Sequence, residues 1–174
     1  VSVAGVLLVF HTSTRGSKQP AFVEAATFRI RSEIELDRST RFSRPLAVLE
    51  INLGSMADRP RVQMALETVL RQVDLATWTS NDRLSVIAPE AAEDEARRLA
   101  EQILEALAGL YPRASVGLAI CPHDGVDPET LGASARAAVA VAKPESVVLA
   151  SETFRALTVG DRSVIIADAS MLRL

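Results

Sequence analysis

The chain carries one cysteine, Cys121, in 174 residues. No internal disulfide can form, and a reducing cytoplasm is the expected setting. Cys121 closes an apolar strand and reads as a small core residue, not a reactive thiol. Long hydrophobic runs are also lacking. The longest, Val3–Phe10, is too short to cross a bilayer, and no positively charged segment precedes it. Neither a membrane span nor a signal peptide is expected. There is no basic excess either. A net charge of −3 and a pI of about 5.5 argue against a nucleic-acid-binding surface. No Gly-x-x-x-x-Gly-Lys-Ser/Thr phosphate loop occurs, and no elbow motif surrounds a serine. His11 and His123 lack partners at metal-ligand spacing and read as solvated loop residues. Internal repeats and low-complexity tracts are absent as well.

The composition that remains, 48% hydrophobic and 24% charged, is that of a globular protein with one real core. Val3–Phe10 reads as a buried strand, and the polar stretch 12–20, with Gly16 and Pro20, as a linker. Residues 21–42 place Phe22, Ala26, Ile30 and Ile34 on one helical stripe, with Arg29, Glu33, Asp37 and Arg41 opposite. Leu46–Leu53 reads as a strand between Pro45 and Gly54. Pro60 opens a second helix whose inner face is Val62, Ala65, Val69 and Val73. Strands at 75–79 and 83–88 follow, joined by Ser80, Asn81 and Asp82, residue types that tolerate a tight turn. The helix over 91–109 starts with Glu93, Asp94 and Glu95, where its dipole favours acids, and lines up Ala96, Leu99, Ile103, Ala106 and Leu110. A strand at 114–121 and the turn Pro122–Gly125 lead to a helix over 127–142. Its inward residues are Leu131, Ala135, Ala138 and Ala142, small enough for close packing on a sheet. A short strand at 147–149 ends the run. The order αβαββαβαβ implies an α/β sandwich, and the adjacent strand pair makes its sheet mixed.

Three blocks resemble the GGDEF (diguanylate cyclase) family: Arg38–Leu49, the hairpin over 71–84, and Ser115–Gly125 continuing to Lys143. They span roughly residues 25–150 in the family's order. The resemblance implies a GGDEF/nucleotidyl-cyclase-like sandwich, with a mixed central sheet flanked by helices. It also implies where chemistry has been lost. The family holds two metal ions with an Asp at the end of its first core strand. The matching position is Asn52, a neutral amide and a weaker ligand for a hard cation. The family's segment that grips guanine and phosphate is largely deleted, since Gly54–Arg59 runs almost directly into a helix. The turn glycines are Ser80 and Asn81, whose side chains obstruct close approach of a triphosphate. Asp82 matches the metal-binding acid, Arg83 replaces the next Glu, and the family's helix Asp is Arg136. Lys143 stays where the family uses Lys against phosphate. Trp78 stands where the family has Arg, and reads as half-buried core.

Phosphoryl transfer depends on positioning and metal electrostatics. The resemblance therefore implies a degenerate, non-catalytic domain with no metal and no cofactor. An Arg-x-x-Asp pair, Arg71 and Asp74, survives at the spacing the family uses for inhibitory binding of cyclic di-GMP. Arg98 fits the position of a helper arginine, whereas Gln102 stands at another usual Arg position. Signal relay or dimerisation, through helix 21–42, is the expected role, and a cyclic di-GMP receptor the alternative. An Arg–Asp pair that merely closes a surface loop is the plain structural reading of the same residues. Asp161–Leu174 resembles the lead-in to a sigma-54 activator ATPase, and residues 1–20 resemble the tail of a forkhead-associated domain plus a linker. These resemblances imply a fragment of a larger bacterial transcriptional activator. The domain would be 21–150, with 151–174 linking to the next domain. The expected partners are those flanking domains, a second copy of the chain, or cyclic di-GMP. No direct contact with nucleic acid or membrane is expected.

Overall fold

The structure is a computed structural model. It describes residues 21–153 in full, and the backbone alone of four short strands outside that range. Two of these, β1 (Ser2–Val3) and β2 (Val6–Leu7), pair with each other. Of the apolar run at 3–10, only Val3, Val6 and Leu7 are described, and Val3 pairs with Val6. Residues 8–20, including His11, lie outside the described residues, as do 167–174. At the other end, β8 (Arg155–Val159) and β9 (Arg162–Ile166) form an antiparallel pair.

Between them lie α1 (Ala25–Phe42), β3 (Leu46–Asn52), α2 (Arg59–Leu66), β4 (Leu75–Trp78), β5 (Arg83–Pro89), α3 (Glu93–Ala108), β6 (Ser115–Cys121), α4 (Pro128–Val141), β7 (Val147–Leu149) and the short α5 (Ala150–Thr153). The sheet runs β4-β5-β3-β6-β7. Only β6 and β7 are parallel; the other pairs are antiparallel, so the sheet is mixed as the element order implies. The central strand β3 is buried on both faces because successive side chains alternate. Ala47, Leu49, Ile51 and Leu53 pack with α2 and α3. Leu46 and Val48 pack with α1 and α4. The row Ser85–Glu50–Gly117 crosses β5, β3 and β6 on the second face.

Helix α4 lies close on that face because its residues are small and β6 offers a glycine. A Cβ on Gly117 would sit 2.1 Å from the Ala135 carbonyl oxygen and 2.4 Å from the Val139 nitrogen. Leu131, Ala135, Ala138 and Val139 make the buried face, with Val139 where Ala142 was expected.

Helix α1 departs more from expectation. Ile30 and Ile34 are exposed, at 54% and 52%. The buried residues are Ser32, Leu36 and Ser39, with Phe28 half-buried against the same cluster. The serines can be buried because they spend their hydroxyls on backbone, Ser32 donating to the Phe28 carbonyl and Ser39 to that of Arg44. The segment before α1 is stitched to the edge of β4. Val23 N–H donates to the Ala76 carbonyl, Ala76 N–H to Ala21, and Thr77 Oγ1 to Val23. Two other inner faces shift. Helix α2 stops at Leu66, leaving Val73 exposed, and α3 buries Leu107 while Leu110 is exposed. Cys121 is buried core, and Trp78 packs half-buried on the main core, as expected.

Candidate functional site

The turn between β4 and β5 is tied down from within. Ser80 Oγ donates to Asp82 Oδ1 at 2.6 Å, and the Thr79 and Ser80 N–H groups donate to the Arg83 carbonyl. The loop 53–58 then lies across the turn. Leu53 N–H donates to the Asp82 carbonyl and Ala57 N–H to that of Asn81, both at 2.9 Å. That loop is held in place by Gly54, whose φ of 74° suits glycine, and by Asp58 N–H donating to Tyr111 Oη at 2.6 Å. Arg59, at the start of α2, completes the cover. Its guanidinium lies 5.0 Å from the centroid of the Trp78 ring and donates to Asn81 Oδ1 at 3.3 Å. Trp78 itself stacks on Phe22, with centroids 6.1 Å apart.

Asn52, at the end of β3, is committed locally: its Oδ1 accepts from Gly54 N–H at 2.9 Å. The acid on this face of the sheet is Glu50, two residues earlier and 2% exposed. Ser85 Oγ donates to Glu50 Oε1, and Arg136 Nη1 stands 3.7 Å from the same oxygen. Burial pushes the Glu50 carboxyl above its ordinary range, against the opposing pull of the Ser85 hydrogen bond and the Arg136 and Arg83 charges. Glu50 went unremarked in the sequence, although a lone acid inside the apolar run Leu46–Ile51 was a visible signal. Lys143 is exposed, beyond the end of α4.

Arg71 and Asp74 do meet, and tightly. Asp74 is fully buried. It accepts from the Arg71 backbone N–H at 2.7 Å, from Nε at 3.1 Å and from Nη2 at 2.8 Å. Nη2 also donates to the Pro89 carbonyl at 2.9 Å. The Asp74 bond raises the Arg71 pKa further above its ordinary value. Beside this pair is a cleft of about 330 Å³. Arg98 does not line it; it sits exposed on α3. Arg31 and Arg38 of α1 line the cleft with Arg71, together with Glu35 and Glu90. No local motif could reveal those two arginines, because they reach the cleft only through the packing of α1.

Solved structures resemble this architecture. The GGDEF domain of YfiN (TpbB) from Pseudomonas aeruginosa superposes with a TM-score of 0.68 at 22% identity, over 77% of this chain and 93% of that one. The fold is a GGDEF fold. The active GGEEF domain of a diguanylate cyclase from Vibrio cholerae matches at TM-score 0.63 and 14% identity, over 71% and 94% of the two chains. The GGDEF domain of DgcB from Caulobacter crescentus, solved in complex with c-di-GMP, matches at 0.60 and 13%, over 84% and 98%. No protein-family model matches the sequence, and no curated protein is significantly similar to it.

On this GGDEF fold, the oxygens at the turn have partners of their own. Asp82 is held by Ser80, Asn52 by Gly54, and Glu50 has Arg136 and Arg83 as its charged neighbours. A hard cation needs several oxygen ligands free to converge. Among the described residues, no three of His, Cys, Asp and Glu converge for a metal, and no helix is long and apolar enough to cross a membrane.

Proposed function

We propose that this GGDEF-fold domain is a non-catalytic regulatory module, relaying signals or dimerising within a larger bacterial signalling or transcription regulator. One observation carries the reading: the turn is covered by its own chain. The Asn81 and Asp82 carbonyls accept from the loop 53–58, and Arg59 lies over Trp78 and against Asn81. A triphosphate approaching the turn meets this cover and a donor set that does not fit its metal. The relay element is α1, whose lead-in segment is stitched to β4 and which exposes Ile30 and Ile34 along its outer face. Incubation of the chain with GTP and magnesium, with an active cyclase alongside, tests the first half of this reading. No cyclic di-GMP is expected; steady product formation that survives repurification sinks it.

A second reading has its own support. Three arginines, Arg31, Arg38 and Arg71, line one cleft against two carboxylates, Glu35 and Glu90, and this net positive lining suits an anionic ligand such as cyclic di-GMP even though Arg38 pairs with Glu35 and Arg71 with Asp74. Against it, the Asp74 carboxylate already accepts three donors from Arg71, leaving little for a guanine edge. Calorimetric titration with cyclic di-GMP decides between them. If it binds, Arg71→Ala weakens binding about tenfold to a hundredfold, the order for ~1.5–3 kcal/mol from a charged hydrogen bond. Arg38→Ala should weaken it too without disturbing the buried Asp74, and unchanged binding by both variants places the ligand elsewhere.

A further inference from the structure

A cavity of about 500 Å³ lies between α1, α4 and the sheet face that carries Glu50. That volume falls in the range of small-molecule pockets, roughly 300–1,000 Å³. Part of its wall is apolar: Phe28 and Leu36 from α1, Val48 and Ile87 from the sheet, Leu131 from α4. Glu50, 2% exposed, is set into this wall. Its Oε1 accepts from Ser85 and lies 3.7 Å from Arg136 Nη1. A nearly buried carboxylate is costly, and a cationic donor brought by a ligand lowers that cost.

The charge around the cavity selects the sign of the ligand. Its lining holds four carboxylates, Glu33, Glu50, Asp127 and Glu129, against two guanidiniums, Arg29 and Arg136. Asp127 is already spent, accepting from Thr130 N–H and Oγ1 at the start of α4. An anion entering here faces a net negative lining. A small hydrated cation leaves the apolar part of the wall uncovered.

We propose that this cavity is a binding site for a small organic monocation with an apolar body, a primary alkyl- or arylalkylamine. Its ammonium group donates to the Glu50 carboxylate, and its hydrocarbon lies against Phe28, Leu36 and Leu131. The site is separate from the Arg71 cleft, and the proposal stands whether or not the domain acts as a relay.

The test is titration of the full chain, followed by NMR shifts, with 2-phenylethylamine, 3-phenylpropanoate and 2-phenylethanol. These probes share a body and differ in the head group. The amine is expected to give saturable shifts at Phe28, Leu36 and Leu131, with the other two at least about tenfold weaker. Glu50→Gln keeps the shape and the acceptor for Ser85, and should lose about tenfold in amine affinity. Gly132→Leu blocks the cavity from the other side. A Cβ there first meets the flexible end of Arg136, at 3.0 Å, so the variant should fold and lose amine binding. The proposal is overturned if the carboxylate binds as tightly as the amine, if no probe gives saturable shifts, or if either folded variant binds the amine unchanged.

Discussion

At Gly117 the strand and the helix leave no room for a methyl group. A Cβ would lie 2.1 Å from one backbone atom of α4 and 2.4 Å from another, and neither can rotate away as a side chain could. Gly117→Ala should therefore push α4 off β6 and destabilise the domain by about 1–3 kcal/mol, the usual cost of overpacking. A lowered midpoint in urea with an unchanged slope is the expected result; a midpoint within error of the parent contradicts this packing. Its neighbour in the same row, Glu50, works in the opposite direction. Burial raises its folded-state pKa above the ordinary 4.5. The folded chain thus holds this proton more tightly than the unfolded one, and stability from this group is full below the unfolded pKa. It is lost as pH rises through the folded pKa. Glu50→Gln should remove that loss and stabilise the fold at neutral pH by about 1 kcal/mol, since Arg136 remains half-exposed and solvated. Thermal melts of both proteins across pH 4–8 should converge at the acid end and separate above it. A variant less stable than the parent at neutral pH would show that the Arg136 pairing outweighs the burial.

At the scale of elements, most of the fold was legible because period and punctuation agree. Pro45 and Gly54 bracket β3, and Asp58 and Asp127 cap α2 and α4 by accepting from Arg61 and Thr130 N–H groups. The order of helices and strands followed from that. Which stripe of a helix faces inward was less legible. On α1 the apolar period at 22, 26, 30 and 34 pointed to one face, yet Ser32, Leu36 and Ser39 are the buried ones. Serine hydroxyls spent on nearby carbonyls, Ser32 back to Phe28 and Ser39 forward to Arg44, look polar in sequence and act as small core residues in place. The candidate site was legible only in part for the same reason. Asn52, Ser80, Asn81, Asp82 and Arg83 lie on or beside one hairpin and could be read in order. Glu50 with Arg136, and Arg31 with Arg71, are joined only by packing. The cover on the hairpin has a consequence of its own. Arg59 holds the turn by stacking on Trp78 and by hydrogen bonding, an arrangement worth about 1 kcal/mol in a partly exposed setting. Arg59→Ala should lower stability by that order and speed amide exchange at residues 79–83 more than in β3. Uniform exchange changes across the sheet would mean that Arg59 does not act on the turn.

For the whole molecule, the question is what α1 presents outward. Its inner side is settled by Leu36 and two serines, a narrow contact for a helix of 18 residues. On the outer side, Ile30 and Ile34 lie four residues apart on one face, each more than half exposed. Spacing of this kind suits a helix–helix seam, and a second α1 from another copy is the simplest complement. Arg38 and Arg41 are paired within the helix, to Glu35 and Asp37, so they need not repel an approaching copy. Sedimentation of the chain should thus show concentration-dependent self-association. Ile30→Glu with Ile34→Glu should abolish it, because four acids would then face one another across the seam. The same double variant should leave the monomer's melting midpoint nearly unchanged, since neither side chain contributes to the core. That pairing of results separates a docking face from a structural one. If the variant unfolds, the isoleucines belong to the fold, and if it still associates, the relay runs through a different surface.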